Sequence, residues 1–201
     1  MRLFPRRPNR MLARDIETPA LWLRTLGPVR ALRLVAPWHR DPELMRGLAL
    51  HSAPMPLLRW LARFERPNNV TRFAYAVVPK SLGRPIGYVA MRLGTDKVAS
   101  SHFAIADAAW RGRQVSVEAR TTLIELFFAA GAERFEARID SRNVASLFVY
   151  RRLGFRPIDA RPGDAIDTAT GRAIDWVWLR LSRDDWDSRR PAATSILGAA
   201  P

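Results

Sequence analysis

The chain has 201 residues, of which 48% are hydrophobic and 26% charged, a balance that suits one globular domain and excludes a chain disordered throughout. Its 33 lysines and arginines outnumber its 19 acidic residues, which gives a net charge of +14. The sequence has no cysteine, which excludes disulfides and thiol nucleophiles, and its histidines are too widely spaced for a local metal motif.

Arginine supplies nearly all of the positive charge, because Lys80 and Lys97 are the only lysines. A partner with phosphates, such as a nucleotide cofactor, a nucleic acid or the ribosome, would explain this charge. A solvated basic surface also explains it, and the spread of arginines over the whole chain favours that explanation. No apolar run is long enough for a membrane span or a signal peptide, so we expect a soluble, cytoplasmic protein without a membrane partner.

The first half of the chain changes from helical patterns to a strand pattern. In order, it predicts a flexible arm over 1–19, a strand over 21–26, and short helices over 29–40, 41–50 and 55–66. Asp41 and Pro42 suit the N-cap and the first residue of the second helix. Three strands follow, over 72–78, 86–93 and 98–106. Tight turns join them, so they predict an antiparallel meander.

The second half alternates helices and strands. It predicts a helix over 115–130 capped by Gly131, a strand over 134–139, a helix over 143–153 closed by Gly154, strands over 155–158 and 173–181, and a flexible tail over 183–201. We therefore expect one domain over 20–182 of the α/β (α+β) class. It should contain a mixed, mostly antiparallel central sheet flanked by helices.

The segment from Trp110 to Ala119 joins a strand to the most amphipathic helix of the sequence. A strand–turn–helix junction presents several unpaired backbone N–H groups in one direction, and the helix dipole adds positive potential there. Arg111 and Arg113 add two full charges, so the junction can hold a pyrophosphate. The alternative is a plain helix N-terminus whose arginines face water.

The segment from Asn143 to Phe155 places an amide, a hydroxyl and a phenol on one helical face, since Asn143, Ser146 and Tyr150 are three and four residues apart. We expect Val144, Leu147 and Phe148 on the core-facing side. Taken alone, the pattern also fits a helix cap, a surface serine and a half-buried tyrosine.

In this order, the two segments resemble the GCN5-related N-acetyltransferase (GNAT) superfamily, in particular its ribosomal-protein-alanine-acetyltransferase-like branch. That family has Arg/Gln-x-x-Gly-x-Gly/Ala followed by Glu-Ala, then Asn-x-x-Ser, a frequent tyrosine and Leu-Gly-Phe. The later motif is intact here, and the stretches 38–45 and 83–88 also resemble segments of that branch. Gln114 and Ser116 depart from the pattern, because the family has Gly and Gly/Ala there. The glutamine side chain must point away from the phosphates or crowd them.

The resemblance implies an acetyl-coenzyme A-dependent N-acetyltransferase that acts on a primary amine of a small molecule or a protein N-terminus, without a metal. It implies that the strands 98–106 and 134–139 splay around the pantetheine of the cofactor. The cofactor-binding residues that it implies are Ile105, Ala106, Arg111, Gly112, Arg113, Gln114, Val115, Ser116 and Asn143.

For catalysis, the resemblance implies Tyr150 as the general acid, with Ser146 assisting or replacing it. His102 is a candidate general base, although period two directs it to the opposite face of its strand from Ser101. Glu136, Asp140 and a bound water remain open as bases. Two other functions also stay open: a non-catalytic member of the same fold, and a basic module that acts on RNA or ribosomes. A homodimer through the strand of Trp176 and Trp178 is a further expectation.

Overall fold

The computed structural model describes residues 8–47, 56–58, 65–166 and 171–189. Eight strands form one sheet in the order β1-β2-β3-β4-β5-β6-β8-β7. The strands are β1 (Ile16–Glu17), β2 (Leu21–Thr25), β3 (Arg72–Pro79), β4 (Gly87–Leu93), β5 (Val98–Ile105), β6 (Arg134–Asp140), β7 (Arg156–Ile166) and β8 (Ala173–Ser182). The predicted meander is confirmed, since β3, β4 and β5 pair antiparallel in succession.

The helices follow their sequence signals closely. They are α1 (Pro28–Val35), α2 (Pro42–Gly47), α3 (Val115–Ala129), α4 (Val144–Arg152) and α5 (Arg183–Asp187), with short 3-10 helices at Ala36–Arg40 and Ala108–Trp110. The predicted N-cap of α2 is confirmed, because Oδ1 of Asp41 accepts from the N–H groups of Glu43 and Leu44, both at 2.9 Å. Most of the helix expected over 55–66, and the end of the helix expected over 41–50, lie outside the described residues.

The sheet opens between β5 and β6, its one parallel pair among the described strands. These two strands pair only at Val98 with Arg134 and at Ala99 with Phe135. Beyond that point β5 stays paired with β4 and β6 stays paired with β8, as far as Ile105 and Asp140. A wedge-shaped gap therefore opens in the middle of the sheet, with its apex just after Ala99.

Apolar side chains cover both faces of the sheet. One cluster joins the sheet to α3, α4 and α5 and contains Phe127, Phe135 and Tyr150. The other joins the opposite face to α1 and the following turn, through residues such as Val35 and Trp38. Helices on both faces of a mostly antiparallel sheet confirm the expected mixed α/β fold.

Strand β7 is longer than the stretch 155–158 that the sequence predicts. It runs to Ile166 and contains irregularities at Pro157/Asp159 and Arg161/Ala165, where its register against β8 shifts. Such bulges break the alternation of period two. The alternation of apolar and polar residues therefore stops before the end of β7, and the sequence predicted only its first part.

Residues on either side of the expected domain boundaries pack against the sheet. Leu12 is fully buried in the arm, and Trp186 of α5 is 8% exposed. Ser182 caps α5, since its side chain accepts from the N–H of Asp185. Isolated apolar residues among arginines and prolines carry no periodicity, which is why the sequence indicated flexible ends there. The boundaries at 20 and 182 stay predictions. Within the described ranges, no helix is both long and apolar enough to cross a membrane.

Candidate active site

The gap exposes one edge of β5. The N–H of Ala106 donates to the carbonyl of Ile86 at 2.9 Å, so it points toward β4. Backbone groups alternate in direction along an antiparallel strand, so those of Ser101, Phe103 and Ile105 point the other way, into the gap. Ile105 thus presents its backbone N–H to the gap, while its carbonyl already accepts from Nε of Arg111. The N–H of Ala106 is already bonded, which is against a role for it as a donor to the cofactor.

At the apex of the gap lies a polar cluster of Ser101, Arg120 and Tyr150. Nη1 of Arg120 donates to Oγ of Ser101 at 2.6 Å and to Oη of Tyr150 at 2.7 Å. The tyrosine is 2% exposed, and its hydroxyl also lies 3.3 Å from the carbonyl of Ser101. The guanidinium lies over the rings of Tyr150 and Phe103, 4.5 and 5.3 Å from their centroids. The hydroxyl oxygen of Tyr150 accepts from a cation, so its own proton is directed to the strand or the gap.

Arg120 is the site residue that the sequence interpretation missed. It precedes Leu123, Ile124 and Phe127 by three, four and seven residues, which places a charged residue on the buried stripe of α3. It is 7% exposed. A lone arginine on the apolar face of a helix was the signal that could have found it.

One glycine in the turn before α3 has the backbone conformation that a phosphate-binding turn needs. Gly112 has φ +75°, a conformation that favours glycine. Gln114, which replaces a family glycine, has φ −59° and ψ 2°, which any residue adopts without strain. Val115 is buried and can offer only its backbone, whereas Ser116 lines the adjoining cavity.

The two arginines of this turn differ in what they contact. Arg111 forms ion pairs with Glu43 at 2.5 Å and Asp41 at 3.4 Å, and its Nε donates to the carbonyl of Ile105 at 3.1 Å. It therefore joins α2 to the end of β5, which does not favour a phosphate-binding role. Arg113 is exposed and stacks on Trp110, with its guanidinium 5.0 Å from a ring centroid. Its charge is available to a phosphate.

Two cavities meet at the apex cluster. One, of about 790 Å³, extends from the turn of α3 along α4. The other, of about 640 Å³, lies between the splayed strands. They share as lining residues Phe103, Arg120, Asn143 and Ser146. The gap is therefore a passage through the sheet with one mouth on each face.

Two apolar residues of α4 that were expected to face the core, Val144 and Phe148, line the first cavity instead. Val144 and Phe148 are 70% and 65% exposed, so they do not face the core. The core-facing stripe consists of Leu147, Tyr150 and Leu153, spaced three residues apart. Asn143 caps the helix, since its Oδ1 accepts from the N–H of Ser146 at 3.0 Å.

Comparisons with known proteins agree with this geometry. Residues 20–156 match the family model described as the acetyltransferase (GNAT) domain, which is more than half of the chain. The chain belongs to the GNAT acetyltransferase family. A search of curated proteins found no match.

Solved GNAT structures share the fold. A probable acetyltransferase of this family from Chromobacterium violaceum is 22% identical, with 93% of this chain and 95% of that chain covered and a TM-score of 0.65. AAC(6')-Ib in complex with ribostamycin and coenzyme A is 16% identical, with 87% and 99% covered and a TM-score of 0.68. A complex of AAC(6')-Ib with acetyl-coenzyme A is also 16% identical, with 87% of this chain and 99% of that chain covered and a TM-score of 0.67.

In this GNAT domain, His102 lies across β5 from Ser101 and lines the cavity between the strands. Solvent reaches its ring through that cavity, yet the surrounding walls reduce its hydration, and this is the main cause that lowers the pKa of His102. Glu65 acts to raise it, while the positive charges of Arg120 and Arg138 lower it further. A neutral imidazole near pH 7 can accept a proton.

The carboxylates that line the same cavity are already engaged. Burial acts to raise the pKa of Glu136, but hydrogen bonds from Arg134 and Arg180 outweigh it and lower the pKa overall. Asp140 is 6% exposed and forms an ion pair with Arg142 at 2.7 Å. Glu136 therefore binds a proton poorly, and the carboxylate of Asp140 is engaged by Arg142, which leaves His102 or a water as the better base.

The remaining expectations concern metals and dimers. The described residues contain no group of three or more metal-ligating side chains that could hold an ion. Trp176 is 7% exposed and lies under Arg138, 4.4 Å from its guanidinium to the ring centroid. The expectation of a homodimer rests on exposure of the strand of Trp176 and Trp178. Since Trp176 is buried, the homodimer stays a prediction without that support.

Proposed function

We propose that this chain transfers the acetyl group of acetyl-coenzyme A to a primary amine of a small molecule or a protein N-terminus. The observation that carries the proposal is the passage between β5 and β6, which has a phosphate-type turn at one mouth and a buried phenol at its apex. Acyl transfer needs both features, because the turn can bind the donor and the phenol can protonate the leaving group.

The donor fits the first cavity. The backbone N–H groups at the start of α3 and the charge of Arg113 suit the pyrophosphate. The exposed side chains of Val144 and Phe148 offer apolar contact along the same cavity. The gap-facing backbone of Phe103 and the N–H of Ile105 supply partners for the amides of a pantetheine arm. Donor binding therefore uses groups that the described structure leaves accessible.

The acceptor enters from the opposite mouth, where His102 lies. The amine nitrogen attacks the thioester carbonyl carbon, a C–N bond forms, and the C–S bond breaks. Tyr150 donates a proton to the departing thiolate, and His102 or a water takes the proton of the amine. A gap-facing N–H of β5 can stabilise the negative charge that develops on the carbonyl oxygen.

Two observations support the two acceptor classes. The intact segment from Asn143 to Phe155 resembles the ribosomal-protein-alanine-acetyltransferase-like branch, which supports a protein N-terminus. A fold neighbour, AAC(6')-Ib, binds the aminoglycoside ribostamycin, which supports a small molecule with several amines. Each class presents a primary amine that can reach His102 through the cavity between the strands.

The test is donor binding followed by turnover. We expect saturable heat on titration of acetyl-coenzyme A, and release of free thiol when a panel of N-terminal peptides and aminoglycosides is added. Coenzyme A without its acetyl group is the matched ligand for the binding measurement. If acetyl-coenzyme A gives no heat at high micromolar concentration, acetyl transfer is excluded.

A further inference from the structure

The guanidinium of Arg120 is a buried charge without a counterion among the described residues. Its side chain is 7% exposed, and no described carboxylate lies within ion-pair distance. Nη1 makes both of its hydrogen bonds, to two neutral hydroxyls. Nε is fully buried and has no partner. Burying a charge that is not compensated is costly, so this arrangement indicates a missing anion.

The surrounding acids cannot supply that anion. Three of the described acids line the cavity between the strands. Glu136 and Asp140 are paired with arginines that lie outside its lining, and Asp96 accepts from the backbone N–H of Val98 at 3.3 Å and forms no ion pair with Arg120. Arg92 and Arg138 also line this cavity, and no ion pair is found for either in the described ranges. The passage therefore has an excess of positive charge, and the buried part of that excess is Arg120.

The position of Arg120 points to the acyl end of the donor. A pantetheine arm that follows β5 from Ile105 to Ser101 covers four residues, or about 13 Å. It ends at the apex cluster, where Arg120 contacts Ser101 and lines both cavities. An acetyl group brings no charge to this point, whereas a longer acyl group can bring a carboxylate.

We propose that the donor subsite takes acyl groups that end in a carboxylate, such as malonyl or succinyl, with Arg120 binding the carboxylate. The inference rests on the proposed acyl transfer and names its donor class. The amine forms the new C–N bond at the thioester carbonyl, the C–S bond breaks, and the thiolate leaves with a proton. The terminal carboxylate passes to the product unchanged, held during the step by the charge of Arg120 and by its Nη2 group, because both N–H groups of Nη1 already donate to hydroxyls.

Butyryl- and succinyl-coenzyme A are the matched donors, because their acyl chains both have four carbons and only succinyl ends in a carboxylate. We expect the wild-type protein to bind succinyl-coenzyme A about 10- to 100-fold more tightly than butyryl-coenzyme A in calorimetry. Thiol release with a shared amine acceptor should show the same preference. Arg120→Gln should reduce the ratio to near one, and Arg120→Lys should keep part of it.

The control is Arg33→Gln, which removes an exposed charge on α1 outside both cavities and should leave the ratio unchanged. The donor comparison on the wild-type protein stands even if an Arg120 variant does not fold. Equal binding of the two donors by the wild type overturns this inference, while thiol release from acetyl-coenzyme A would keep the acyltransferase function. If neither binding nor thiol release occurs with any donor, the proposed function itself fails.

Discussion

Replacing Tyr150 by phenylalanine removes one oxygen from the apex cluster. That oxygen accepts from Nη1 of Arg120 at 2.7 Å and lies 3.3 Å from Oγ of Ser101. The guanidinium would keep Ser101 as its only hydrogen-bond acceptor in the described structure. Losing one bond to a buried charge costs about 2 kcal/mol of unfolding free energy, or a fall of roughly 4–8 °C in Tm for a chain of this size.

The catalytic effect should be larger than the effect on stability. Without a general acid, the thiolate must leave unprotonated, and kcat should fall by about 100- to 10,000-fold. Donor affinity should change little, because the tyrosine is 2% exposed and offers the donor only its hydroxyl. The assay is thiol release under saturating donor and acceptor, with donor affinity measured separately by calorimetry at a temperature where both proteins are folded.

Tyr75 supplies the matched control. Its side chain is fully buried, its hydroxyl donates to the carbonyl of Leu12, and it lies on β3, two strands from β5, and lines neither cavity. Tyr75→Phe therefore also removes a buried phenol, and it should lower Tm while leaving kcat unchanged. If Tyr150→Phe keeps kcat within about threefold of the wild type, Tyr150 is a packing residue and the general acid must be sought elsewhere.

Three further predictions test other parts of the site. The wild-type kcat should fall as pH drops through a pKa below 6.5, and His102→Ala should flatten this limb; an unchanged profile removes His102 as the base. Gly112→Ala strains a backbone at φ +75° by about 1–2 kcal/mol and should weaken donor binding, whereas Gly83→Ala, at φ +68° in open space outside the cavities, should lower only Tm. Arg113→Gln should weaken donor binding and reduce its salt dependence; equal salt slopes would contradict a phosphate contact.

The elements that the sequence predicted well depend on local patterns. The meander follows from period two and tight turns, and α3 follows from its apolar stripe and from Gly131, which has φ +100° two residues after the helix ends. The cap of α2 at Asp41 needs only three neighbouring residues. Each of these features lies within one short window of sequence, so propensity and pattern were sufficient to find it.

The features that the sequence did not predict depend on contacts between distant residues. Leu12 in the arm and Trp186 in α5 lie far apart in the sequence, yet both are buried in the same hydrophobic cluster. The face of α4 was assigned wrongly because Val144 and Phe148 are apolar yet border a cavity, which hydrophobicity alone cannot distinguish from a core. Arg120 meets Ser101 and Tyr150 across 19 and 30 residues, so no local motif contains the cluster.

The altered phosphate turn shows why a motif should be judged by its backbone. Glycine is needed where φ is positive or where a Cβ would touch a neighbour. In this turn the positive φ belongs to Gly112, which is present, while Gln114 has φ −59°. The glutamine therefore imposes no conformational cost, and its side chain is exposed at the edge of the first cavity. A Gln114→Gly variant should then bind the donor with nearly the same affinity as the wild type. A large gain in affinity on calorimetry would show that the glutamine side chain, rather than the backbone, obstructs the phosphates.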